Sequence, residues 1–288
     1  MRKAGVIAES AIAKALRTRK RLEIPFTQSI CAIDGAEKLG IDVRLADFPS
    51  MEGMYVGGPP PKIILSSLRP AGRQAFTCAH ELGHHIFGHG TQFDELVTKK
   101  SSQRKNDPNE FAADCFAAFF LMPKAAIDDG VRRRNLSYVG ISPIDLYRLA
   151  SWLGVGYASL VNHLAYGTKA IARARAEKFL AVQPKQLRKT ILGHDKSSNL
   201  HCVDHHWVGR AVDCQVGDDI LIDGAPLIER PDLFLVSSHK TGLLLHAETP
   251  GIARVSAKES DWAVFVRVAP KEFVGRSCFR FEEVVADE

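Results

Sequence analysis

The stretch Thr77-Cys78-Ala79-His80-Glu81-Leu82-Gly83-His84-His85 decides how the chain is read. Within it, His80 and His84 stand at i and i+4. At about 100° per residue, their rings lie roughly 40° apart on one helical face, so both reach a single ion. Glu81 projects roughly 60° from His84, close enough to touch a water beside that ion without ligating it. Two neutral imidazoles and an adjacent carboxylate acting as general base form the arrangement of zinc hydrolases. The flanks suit a helix, because Phe76, Ala79, Leu82, Gly83, Ile86 and Phe87 supply small and apolar packing positions.

Such a site needs a third ligand. In Asn109-Glu110-Phe111-Ala112-Ala113-Asp114, the acids Glu110 and Asp114 are again at i and i+4 and share a helical face. One of these carboxylates can complete the metal shell while the other accepts a hydrogen bond from a ligand imidazole and fixes its tautomer. The Asn-Glu-x-x-x-Asp pattern resembles the third-ligand helix of gluzincin metallopeptidases. A third histidine placed as in metzincins would fall at Gly90, and His89 is one residue short. On a continuous helix His89 would point about 140° away from His84, which leaves it the weaker alternative.

Three motifs in order carry a wider resemblance: Arg73 to His84, then Glu110-Phe111-Ala112-Ala113-Asp114-Cys115-Phe116-Ala117, then Leu121-Met122-Pro123. Together they resemble the ImmA/IrrE family of metallopeptidases over roughly residues 30 to 165. Members of that family are intracellular zinc endopeptidases, and the best known cleave helix-turn-helix repressors to release a stress or mobile-element response. The resemblance implies Zn2+ on His80, His84 and Glu110, Glu81 as the catalytic base, and a repressor as protein substrate. Asp114 stands where many relatives carry Asn, so either residue type can serve behind the ligand. Tyr138 and His85 are candidate donors to the developing oxyanion.

Composition fits a soluble intracellular protein. The chain has 288 residues, 45% of them hydrophobic, enough to bury a sizeable core and suggest two domains. Its net charge of +5 permits a nucleic-acid partner without demanding one. Charge interrupts the first nine residues, so no signal peptide is expected there, and no apolar run is long enough to span a bilayer. Six cysteines without a C-x-x-C pair read as reduced cytoplasmic thiols, with Cys78 and Cys115 structural.

Periodicity predicts helices over 6–22 and 29–39, the first ending in a solvated basic cluster, Arg17 to Arg21. Short strands follow at 41–45, 53–56 and 62–65, with a Gly-Pro turn at 57–61. In zincins an edge strand above the metal pairs with the extended substrate, although sequence does not show which strand that is. Residues 91–109 read as an exposed loop. Asp107 and Pro108 then start a helix that runs to Met122, with Phe111, Cys115, Ala118, Phe119 and Met122 as its core face.

Residues 142–166 have the spacing of a helix-turn-helix, opened by a cap at Ser142. A DNA-reading helix wants Arg, Lys, Asn or Gln outward, and this one offers chiefly Tyr157, Ser159, Asn162 and His163. A structural helix pair is therefore expected, and the basic residues from Lys169 to Arg188 read as a solvated face. From about residue 193, Gly-punctuated apolar runs suggest a small antiparallel sandwich or barrel. His201-Cys202-x-x-His205-His206 contains ligand-type residues but has no partner pair downstream, so it reads as a chance cluster. The resulting expectation is an α+β chain: a zincin-like core of small mixed sheet and metal-binding helices (1–127), a helical extension (128–192) and a β-rich C-terminal domain (193–288). A DNA- or ligand-binding regulator with a structural or vestigial metal site is the rival, and the intact Glu81 argues against it.

Overall fold

A computed structural model describes residues 2–95, 107–195 and 199–282. The fold is mixed α+β with three sheets. The first has the order β13 (Gly275–Arg276), β1, β3, β2, β4. Strand β1 (Asp42–Ala46) runs parallel to β3 (Lys62–Ser66), β2 (Met51–Val56) is antiparallel to β3, and β4 (Gln92–Glu95) is antiparallel to β2. The three predicted strands are present within a residue or two. β4 lies in the stretch read as loop, and it takes the edge beyond β2; the rest of that loop, 96–106, lies outside the described residues.

Helix α1 (Arg2–Arg21) packs along α4 (Pro108–Leu121), and α2 (Ala32–Lys38) leads into the sheet. The basic cluster at the end of α1 is not wholly solvated. Arg19 is completely buried, donating from Nη1 to the carbonyl of Phe120 at 2.7 Å and from Nη2 to that of Pro25 at 2.8 Å. A guanidinium can be buried this way because its donors spread in a fork that several carbonyls can share. Burial also lowers its pKa, to about 10.

Helix α3 (Ala71–Phe87) packs on β2 and β3 and crosses α4. Two glycines permit the close approach. A Cβ on Gly53 would sit 2.6 Å from Thr77 Cγ2, and one on Gly83 would sit 3.1 Å from Ala113 Cα. The core face of α4 differs from the one expected. Of the expected residues Met122 is buried, but Phe111 is exposed and Cys115, Ala118 and Phe119 are half-buried, whereas Ala112, Ala113, Phe116, Ala117, Phe120 and Leu121 are buried. Small alanines let α3 come close, and this outweighs the larger apolar residues on the other stripe.

Helices α5 (Lys124–Arg133), α6 (Pro143–Leu153), α7 (Tyr157–Asn162, extended by a π turn over His163–Gly167), α8 (Arg173–Leu180) and α9 (Pro184–Leu192) follow. Ser142 and Asp145 form the expected capping box at the start of α6. Residue 127, drawn above as the end of the first part, lies inside α5.

The β-rich segment holds two four-stranded sheets. One joins β5 (Leu200–Val203), β7 (Asp219–Asp223), β10 (Gly242–Ala247) and β9 (Phe234–His239); the other joins β6 (Val212–Gln215), β12 (Ala263–Ala269), β11 (Gly251–Ser256) and β8 (Leu227–Ile228). They are not purely antiparallel, because β5 pairs with β7, and β6 with β12, in parallel. The last strand, β13 (Gly275–Arg276), leaves this segment and pairs with β1 in the first sheet. Arg267 and Arg280 reinforce the crossing, both donating to Asp34 of α2, at 2.7 and 2.8 Å. One hydrophobic cluster accordingly runs from Ala11 to Val268. Among the described residues, no helix is long and apolar enough to cross a membrane.

Candidate metal centre

Three side chains converge where α3 crosses α4. His80 Nε2 and His84 Nε2 are 3.0 Å apart, and the Glu110 carboxylate lies 3.5 Å from the first and 3.4 Å from the second. Both rings are buried, at 5% and 1% exposure, and Glu81 beside them is 1% exposed. Tetrahedral ligands at about 2.0–2.1 Å from a zinc ion lie about 3.3 Å from one another. The spacing of the two Nε2 atoms and the Glu110 carboxylate, which faces His80 through Oε2 and His84 through Oε1, therefore fits such an ion, and the donor set of two imidazoles and one carboxylate is of the right chemistry.

The far side of each ring is also fixed. Asp114 Oδ1 lies 2.9 Å from His80 Nδ1, so the carboxylate accepts the Nδ1 proton and Nε2 keeps its lone pair for a cation. On the other ring, His84 Nδ1 lies 2.9 Å from His89 Nδ1. Gly88 explains this contact. It ends α3 in the left-handed conformation (φ 71°), and His89 N then donates back to the His84 carbonyl at 3.1 Å. The helix does not continue, so His89 folds back onto His84 instead of pointing away. Its ring stacks on Phe87 at 5.3 Å, and Lys14 of α1 holds the same corner by donating to the Ile86 carbonyl at 3.2 Å. The clue in sequence was Gly88 itself, a helix-ending residue directly before a histidine.

Electrostatics favour a cation between the rings. Burial opposes charge on His80, but hydrogen bonds to Asp114 and Glu110 outweigh it and push its pKa up to about 10. Burial lowers His84 to about 4, and repulsion from His80 adds to the effect. At 3.0 Å the two facing Nε2 atoms cannot both be protonated, so this pocket of carboxylates holds one positive charge between the rings.

The remaining candidates sit elsewhere. Tyr138 donates its hydroxyl to Asp128 at 2.7 Å, and His85 Nδ1 meets the Tyr55 hydroxyl at 2.9 Å. Cys78 is fully buried and Cys115 half-buried; burial raises both thiols, Cys115 to about 11, and neither joins the trio. His201 pairs with Asp218 at 3.2 Å, Cys202 packs in a small apolar cluster, and His205 and His206 lie ring against ring. Among the described residues they form no ligand group. A second convergence, Cys31, Asp34 and Asp213, already has its cations in Arg267 and Arg280.

Residues 36–164 match the family model described as the IrrE N-terminal-like domain, Peptidase M78. This match supports an ImmA/IrrE assignment for that part of the chain. The matched stretch spans His80, Glu81, His84, His89, Glu110 and Asp114 and extends through α7. No curated protein matches the chain. Among solved structures, a Mycobacterium tuberculosis transcriptional regulator is similar at 17% identity with a TM-score of 0.36. The likeness covers 55% of this chain and 46% of that one, so the chain spans less than half of the regulator's length.

Proposed function

We propose that the IrrE-like domain is a zinc-dependent endopeptidase acting on a specific cytoplasmic protein, a helix-turn-helix transcriptional repressor, in a stress or mobile-element response. The observation that carries this reading is the meeting of His80, His84 and Glu110 within ligand distance of one ion, with Glu81 buried beside them. A purely structural metal would need the three ligands and no Glu81.

Zn2+, when held by His80, His84 and Glu110, supplies Lewis acidity at the scissile carbonyl. The rest of the chemistry belongs to the chain. Glu81 takes the proton of the attacking water and returns it to the leaving amine. Asp114 and His89 keep the Nδ1 protons of His80 and His84 in place, so both Nε2 atoms face the ion. The outer edge of β4 follows α3 directly and offers backbone groups to which an extended substrate can add as a strand.

The rival reading, a DNA-binding regulator, is weakened by the helix pair. Tyr157 is 4% exposed and donates to the Phe179 carbonyl at 2.9 Å; His163 is 6% exposed, with Nε2 3.0 Å from the Met122 carbonyl. Of the four polar residues on that helix, Ser159 and Asn162 alone keep an outward face. The test is Glu81→Gln, which should retain zinc at the wild-type ratio while cleaving no repressor. A zinc-loaded Glu81→Gln chain that still cleaves would sink the peptidase assignment.

A further inference from the structure

Away from the metal centre, the first turn of α3, the α6–α7 turn and the β-rich segment enclose a cavity of about 350 Å3. That is the size of a small-molecule site. Tyr147, Val155, Trp207 and Phe273 give it an apolar and aromatic wall, and none of His80, Glu81, His84 or Glu110 lines it.

The polar groups in the cavity are largely donors. Ser67 lines it at 2% exposure, and its buried Oγ has no hydrogen-bond partner. The Nε atoms of Arg188 and Arg210, also in the lining, are buried and equally unpartnered. The 17-residue helix α3 begins there, at Pro70 and Ala71, with no side-chain cap and no acid in its first turn. Its dipole therefore places partial positive charge at the wall. Two carboxylates line the cavity as well, but each is answered. Asp213 pairs with Arg267 at 2.5 Å, and Asp218 accepts from His201 at 3.2 Å and from Asn199 at 2.8 Å. Buried donors left over in an aromatic enclosure call for an acceptor with an apolar body.

We propose that this cavity binds a small organic anion, an acidic group carried on an aromatic or aliphatic body, with the acid toward Ser67, Arg188 and Arg210. The proposal stands apart from the peptidase reading, because it uses none of the metal-centre residues.

The probe is 8-anilinonaphthalene-1-sulfonate, titrated into the full chain and followed by fluorescence. One saturable site per chain is expected. Arg188→Gln should weaken it about tenfold, the loss of a charge-assisted contact, while the exposed Arg254→Gln on β11 leaves it unchanged. Hydrogen exchange on the unmodified chain serves as a second readout, independent of how the variants fold. The probe should slow exchange at 71–75 and 199–202. Non-saturating binding, equal affinity in the folded Arg188→Gln variant, or protection confined to other segments would each overturn the proposal.

Discussion

His84 turns Nδ1 to within 2.9 Å of Nδ1 of His89, a residue that lies beyond the end of its helix. For His84 to present its Nε2 lone pair to an ion, its proton must sit on Nδ1, and His89 must accept it in its Nε2-protonated tautomer. His89→Leu removes the acceptor, and zinc affinity should fall by about 10- to 100-fold. Competition with a chromophoric chelator measures this, and His89→Gln, whose amide oxygen can still accept, should recover part of it. Wild-type affinity in His89→Leu would remove His89 from the site.

The approach of α3 to α4 rests on Gly83, whose absent side chain leaves room for Ala113 and Phe116. Gly83→Val places methyl groups against the Ala113 backbone, which has nowhere to retreat. A loss of about 2–3 kcal/mol is expected from overpacking, read from the urea midpoint. Because the same contact sets Glu110 opposite the two rings, metal affinity should drop as well. Unchanged stability would mean the two helices can separate freely.

The link between the β-rich segment and α2 is electrostatic and has a definite pH signature. Burial would raise the Asp34 carboxyl, but Arg267 and Arg280 outweigh it and hold its pKa below the usual carboxylate range. A depressed folded value gives stability that is present above the unfolded pKa, about 3.9, and lost as pH falls through the folded one. Asp34→Asn should therefore cost about 1–3 kcal/mol at pH 7, and the gap to wild type should close as pH drops below about 4. Denaturant melts at pH 7, 5 and 3 check the sign. A gap that widens toward acid would contradict it.

Local patterns in the sequence carried much of the fold. The i, i+4 histidines, the Asp107-Pro108 start and the Ser142 cap act within one or two turns, and each appears in the structure. Contacts made across long separations were not legible. β13 is two residues long and pairs with β1 from the far end of the chain, so nothing local marks it as a strand. Arg19 looked solvated because its partner, the Phe120 carbonyl, belongs to another helix. The core face of α4 was misread because that helix is apolar nearly all round, so its periodicity does not select a side. His89 was misdirected by extending α3 one residue past the glycine that ends it.

The most direct measurement is metal analysis of the purified chain combined with X-ray absorption at the zinc edge. Expected is one zinc per chain, bound by two imidazole nitrogens and carboxylate oxygen with no sulfur, and a loss of metal in Glu110→Ala. A chain that takes up no divalent ion, or a zinc shell containing thiolate, would contradict the convergence of His80, His84 and Glu110 on one cation.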